Sequence, residues 1–344
     1  MYKVAGSNLF GQWLSEDCVF NHFKSIIYDN IESDSSLAYI GWSYNIFMIK
    51  KYLYISGAFR GKEEQFVKLD LPDDLQDGHI LITGNDYHLI IVNSISNIIY
   101  VYDFLTEQYK KVKFVESVNK NDIRLVKVAA TNNSCIYLTN EGYIYSGMLP
   151  IMLDTNLVKK VIDVALGYEH YVLLTESGKI YTWGNGRRLQ LGHGDLNNLE
   201  QPTEVKALSG IKIKKISVGG WHTCALSEFG DLYVWGWNDT GQLGVKEKQN
   251  EDSSSSDLQS YGLPILVDIY DENGREIDLN IKDVACGSRH TTILLENGSV
   301  WTSGCNKYGQ LGFCVESIQK IECFRKSYSD ADTLICGPWS TVIK

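Results

Sequence analysis

The chain has 344 residues, 44% of them hydrophobic and 22% charged, with a net charge of −10. That balance excludes a disordered polypeptide and disfavours non-specific binding of DNA or RNA, which needs cationic surface. No apolar run reaches the roughly 18 residues that span a bilayer. The opening Met1-Tyr2-Lys3-Val4-Ala5-Gly6 lacks a long apolar leader, so an intracellular setting without membrane contact is expected.

Taken in chain order, the sequence is a series of repeats. Gly6-Ser7-Asn8-Leu9-Phe10-Gly11-Gln12-Trp13-Leu14 reads as the end of a unit. Gly41-Trp42-Ser43-Tyr44 leads into the apolar run 45–49, and Gly84-Asn85-Asp86-Tyr87 into 88–92. Both put tyrosine three places after a key glycine. Val128-Ala129-Ala130-Thr131 leads through Ser134 into 135–138, with threonine in the glycine slot. Three full copies follow, opening with Gly167 to His170, Gly219 to His222 and Gly287 to His290. Each continues into an apolar strand, a turn ending in glycine, a second strand, and a closing pair: Leu191-Gly192, Leu243-Gly244 or Leu311-Gly312. Gly337-Pro338-Trp339-Ser340-Thr341-Val342-Ile343 begins a unit that residues 6–14 would complete. The count is then seven.

Each unit has the physics of a small antiparallel sheet. Glycine supplies the positive φ of the hairpin turns, and runs such as Leu232-Tyr233-Val234-Trp235 have strand composition. A lone small sheet cannot bury both faces, so units must stack. The expectation is an all-β, seven-bladed β-propeller over residues 1–344, a single domain whose last blade is shared between the two ends of the chain. No tryptophan is followed by aspartate, and only Gly219-Gly220 forms a glycine pair, which sets aside two other propeller families. Residues 245–283 read as an acidic insertion containing Ser253-Ser254-Ser255-Ser256, either a solvated loop or a docking loop for a basic surface.

These motifs resemble the regulator of chromosome condensation repeat family. Gln190-Leu191-Gly192-His193-Gly194-Asp195 and Asn238-Asp239-Thr240-Gly241-Gln242-Leu243-Gly244 carry the likeness, which is strong over 160–312 and at both ends of the chain and weak over 15–150. The resemblance implies a non-catalytic interaction module. It further implies a binding subunit of a JmjC-type 2-oxoglutarate oxygenase in chromatin regulation and chromosome segregation. The implied location is the nucleus or chromosome, with the cytoplasm as a second place, and chromatin-associated proteins are further implied partners. The alternative is guanine-nucleotide exchange on a Ran-type small GTPase.

No catalytic residue, metal site or cofactor is expected. The eight cysteines include no C-x-x-C pair and read as reduced core thiols. His170, His222 and His290 recur in one slot, as a catalytic triad would not. With Gly167, Gly219, Gly287 and Gly337 they read as structural residues, each histidine capping or packing its own blade. His193-Gly194-Asp195 looks like half of an iron-binding facial triad but lies in the repeat loop. The slot two places after the key residue varies: Ser43, Asp86, Asn133, Glu169, Trp221, Arg289, Trp339. Variable loop positions on a rigid scaffold suit recognition, and tryptophan and arginine are the favoured hot-spot types. Glu169, Trp221, Trp237, Arg289 and Trp339 are therefore the candidate partner-binding residues.

Overall fold

The runs rich in β-branched and aromatic residues form strands, and the hairpins between them turn on glycines such as Gly178 (φ 81°) and Gly230 (φ 92°). A Cβ is strained at that backbone angle. The computed structural model describes residues 1–26, 35–59, 62–75, 79–112, 123–155, 158–245 and 260–344. Its strands assemble into seven four-stranded sheets, the blades of an all-β propeller. Only two short 3₁₀ turns, Asp73–Leu75 and Lys206–Leu208, interrupt the strands among the described residues. No helix there is long and apolar enough to cross a membrane.

In chain order, blade 1 runs from strand Ser35–Ile40 to Lys62–Lys68, blade 2 from Ile80–Gly84 to Gln108–Val112, and blade 3 from Leu125–Ala130 to Ile151–Met152. Blade 4 runs from Val161–Leu166 to Leu199–Glu204, blade 5 from Ile213–Val218 to Tyr261–Leu266, and blade 6 from Ile281–Cys286 to Lys320–Tyr328. Blade 7 joins Leu334–Gly337 and Ser340–Ile343 to Lys3–Ser7 and Val19–Ser25. The shared blade read from the sequence is therefore present. Its seam is the antiparallel pairing of Lys3–Gly6 with Ser340–Ile343. Gly6 is required there, since a Cβ would stand 2.4 Å from the Trp339 carbonyl oxygen.

The chain divides into two compact units. The first holds Met1–Ser7, Val19–Ile26 and Ala165–Lys344; the second holds Asn8–Cys18 and Ile27–Val164. The first is built on aliphatic clusters such as Leu226, Leu232, Val234, Ile293 and Leu295, closed by Trp301 and Phe324. The second relies more on aromatic rings, with Tyr44, Phe59, Tyr102 and Phe104 among Ile46, Ile55, Leu89 and Ile91. Part of the expected insertion is regular structure: Tyr261–Leu266 is the fourth strand of blade 5, paired with Leu232–Gly236. The serine run and residues 246–259 lie outside the described residues.

Candidate interaction face

In the first unit the repeated histidines bridge blades. The His170, His222 and His290 side chains are fully buried. Their Nε2 atoms lie 3.1, 2.9 and 3.2 Å from the hydroxyls of Thr223, Thr291 and Thr341, each on the next blade. Each threonine donates its own proton to a carbonyl, that of Gln190, Gln242 or Gln310. Its oxygen is then left to accept from the imidazole N–H. Packing within one blade, the role expected from sequence, is thus only part of what these rings do. The partner glycine follows from the ring. A Cβ at Gly167, Gly219 or Gly287 would stand 2.0–2.1 Å from the histidine Cε1 and 2.6–2.8 Å from the next key glycine's carbonyl oxygen. Burial first, then the influence of His222, pushes the pKa of His170 and of His290 down to about 3, against a weaker opposing hydrogen bond at His290.

One position after the key glycines, a relay of backbone hydrogen bonds runs across blades 4 to 7. Tyr168 N–H donates to Gly220 O, Gly220 N–H to Ser288 O, and Ser288 N–H to Pro338 O, at 2.8–3.1 Å. The inter-strand loops are fixed by their asparagine and glutamine. Asn238 and Asn306 accept from the Leu243 and Leu311 amides, while Gln190, Gln242 and Gln310 accept from residues 188, 240 and 308. The repeat signature is thus a hydrogen-bonding kit that holds variable side chains on a rigid frame.

Those variable side chains form an aromatic and cationic array. Arg188 lies over the Trp237 ring at 3.8 Å and the Trp221 ring at 5.0 Å, and Arg289 approaches Trp237 at 5.0 Å. Arg289 is ion-paired with Asp239. Tyr168 meets Trp221 edge-on and hydrogen-bonds Ser288. Glu169 accepts from the Asn185 amide at 2.8 Å. A cavity of about 480 Å³ opens here, lined by Glu169, Asn185, Arg188, Trp221 and Trp237 among others. Four of the five expected residues, Glu169, Trp221, Trp237 and Arg289, are therefore neighbours. Trp339 stands against Tyr308 instead. The array can engage planar or anionic groups through stacked guanidinium and indole faces.

Sequence reasoning missed Arg188. Its signal was its place in the repeat loop, where Thr240 and Tyr308 stand in blades 5 and 6. One register also needs correction. In blade 2 the turn closes from Asn85 N–H to His88 O, as it does from Gly167 to His170 in blade 4. The key residue of blade 2 is thus Asn85 rather than Gly84, and His88 rather than Tyr87 fills the histidine slot. The variable slot holds exposed Tyr87, and Asp86 moves one place back. The first strand of blade 2 also pairs without the bulge found in blades 1, 3, 5 and 6. His193 lies 2.8 Å from the Thr182 hydroxyl of its own blade.

A family model described as the regulator of chromosome condensation (RCC1) repeat matches residues 177–226 and 230–294. A second model of that description matches 161–190, 213–242 and 281–310. RCC1 domain-containing protein 1 is 34% identical over 208 residues in Mus musculus, covering 54% of this chain and 55% of the relative. In Homo sapiens it is 31% identical over 213 residues, covering 53% and 55%. The chain thus spans about half the length of these curated relatives. Among solved structures, human WBSCR16 superposes with a TM-score of 0.75 at 17% identity, covering 100% of this chain and 99% of that one. Prp20p from Saccharomyces cerevisiae, which binds Gsp1p and histones, superposes with a TM-score of 0.78 at 15% identity, covering 99% and 90%.

Proposed function

Because this chain carries regulator of chromosome condensation repeats, we propose that it is a non-catalytic interaction module, and that its ligand is another protein. The observation that carries this reading is the array of Trp221, Arg188, Trp237 and Arg289 beside an open cavity. These are the residue types that dominate protein–protein hot spots. The repeat chemistry beneath them is spent on holding loops, and the buried histidines are tied to threonines rather than aimed at a substrate.

The partner implied by the sequence resemblance is a JmjC-type 2-oxoglutarate oxygenase acting in chromatin regulation and chromosome segregation, which sets the expected location in the nucleus. Chromatin-associated proteins are further candidates. The second reading, nucleotide exchange on a Ran-type GTPase, is favoured by the superposition on Prp20p. Affinity capture from nuclear extract with the intact chain and a Trp221→Ala/Trp237→Ala variant tests both. The expected result is a JmjC oxygenase as main prey, lost with the variant. Capture of that prey undiminished by the variant would sink the proposed face. Accelerated release of nucleotide from a loaded Ran-type GTPase would decide for exchange activity.

A further inference from the structure

Three equivalent positions of the first unit differ in one respect. At each, a buried histidine has an Nδ1 with no hydrogen-bond partner, and the register positions to compare around it are the third residue of its own strand and the last residue before the next key glycine. At His170 those residues are Val172 and Val218; at His290 they are Thr292 and Cys336. At His222 they are Cys224 and Cys286. There the ligand atoms of His222, Cys224 and Cys286 lie within 4.8 Å of one another. The two sulfurs are 3.4 Å apart. Cys336, by contrast, is turned to the Ala285 carbonyl and the Thr292 and Thr341 hydroxyls.

The geometry points to a zinc(II) site formed by His222 Nδ1, Cys224 Sγ and Cys286 Sγ. Two sulfurs each about 2.3 Å from zinc stand roughly 3.8 Å apart, so the pair needs only a few tenths of an ångström to open. The imidazole is prepared for the role. Its Nε2–H is committed to the Thr291 hydroxyl 2.9 Å away, which leaves the Nδ1 lone pair free to ligate. Zinc entry displaces one proton from each thiol, so a dication with two thiolates and a neutral imidazole leaves the site uncharged. That balance matters where His222 and Cys224 are fully buried, because an unbalanced ion there would be heavily penalised. A copper(I) ion would leave one net negative charge. Cys286 is only partly buried, so entry of the ion and of water as a fourth ligand would come past it. The two cysteines sit 62 positions and one blade apart, so no spacing motif announces them.

The test uses the full chain, stripped of metal under reducing conditions and titrated with cobalt(II) and then zinc(II). The expected result is a near-ultraviolet thiolate-to-cobalt band at one equivalent, displaced by one equivalent of zinc, with a melting temperature raised by several degrees. Cys224→Val/Cys286→Val copies the valine pair found beside His170 and so suits the fold. It should lose the band and the zinc-dependent shift, while Cys336→Ser keeps both. Absence of a band in the wild type, a band surviving in the double valine variant, or uptake of copper(I) with refusal of zinc would overturn the assignment. So would a Cys224–Cys286 disulfide in a chain that binds no zinc.

Discussion

The two units solve one problem with different chemistry. Blades 4 to 7 link neighbours through glycine, histidine and threonine, with a relay of backbone amides one position on. In the second unit the links are made by longer side chains. Tyr44, at the histidine slot of blade 1, reaches the Asn85 carbonyl at 2.9 Å, and Tyr39 reaches the Gly84 carbonyl at 2.7 Å. Asn85, at the key slot of blade 2, caps its own turn through the Tyr87 and His88 amides and donates to Thr131 O. The backbone relay is replaced by the Asn132 side chain, which accepts from the Asp86 backbone amide and donates to the Asp86 carboxylate. Blades accept any bridge that spans the gap and satisfies the buried carbonyls. The glycine–histidine pair is one such bridge, and it repeats because each ring forbids a side chain at its own glycine.

The largest effect should come from the seam. Removing residues 340–344 takes the strand that lies between Lys3–Ser7 and Leu334–Gly337. Both flanking strands would lose their ladder, with buried Val342 and Ile343 lost as well. Loss of the cooperative melting transition is expected, far beyond the ~0.5–3 kcal/mol of a point change. An unaltered melting profile would refute the dependence of blade 7 on that strand.

Acid should separate the two units next. His170 and His290 have folded pKa values near 3, below the unfolded value of about 6.5. Between these values the unfolded chain binds more protons, so stability is full above pH 6.5 and declines toward pH 3. The slope is about 1.4 kcal/mol per pH unit for each histidine. The histidines described in the second unit, His79 and His88, are not buried. Hydrogen exchange at pH 4.5 against pH 7 should show blades 4 to 6 losing protection before blades 1 to 3. The reverse order would contradict the role given to the buried rings.

The same contrast explains what the sequence disclosed. The seven units, the shared blade and the structural histidines were legible because close packing around His170, His222 and His290 allows only glycine at one slot, so the motif survives as a pattern. Blade 2 misled by one residue because Gly84 is required for another reason. A Cβ there would stand 2.2 Å from the Tyr44 hydroxyl, so a glycine is present but marks a different slot. Arg188 was invisible because its loop position is variable, and only the stacking on Trp221 and Trp237 gives it meaning. Trp339 was grouped with them by register, yet its ring partner is Tyr308.

Double-mutant cycles sharpen this point at a smaller energy. Gly219→Ala forces a methyl into the His222 ring, and Gly84→Ala forces one into the Tyr44 hydroxyl; each should cost about 1–3 kcal/mol. Tyr44→Phe removes the obstructing oxygen, so Gly84→Ala should cost visibly less in that background. Gly219→Ala should be relieved in part by truncating His222, since the Gly287 carbonyl oxygen would still stand 2.6 Å from the added methyl. Additive effects in denaturant titrations at both sites would show that the glycines serve the local turn rather than the bridge.

The smallest effect tests where the units agree. Lys127 pairs with Asp163 in the second unit, and Lys215 pairs with Asp283 in the first. Each lysine sits at the bulge of a first strand, and each aspartate caps the next residue's amide, Val164 or Val284. All four side chains keep partial solvent contact, so the charges are screened and each pair should contribute only about 0.2–1 kcal/mol. Lys127→Met and Lys215→Met should therefore lower stability by small and similar amounts, and less so at high salt. A marked inequality would mean that one unit depends on its ion pair as a bridge in its own right. That outcome would extend the chemical difference between the units to a contact that recurs in both.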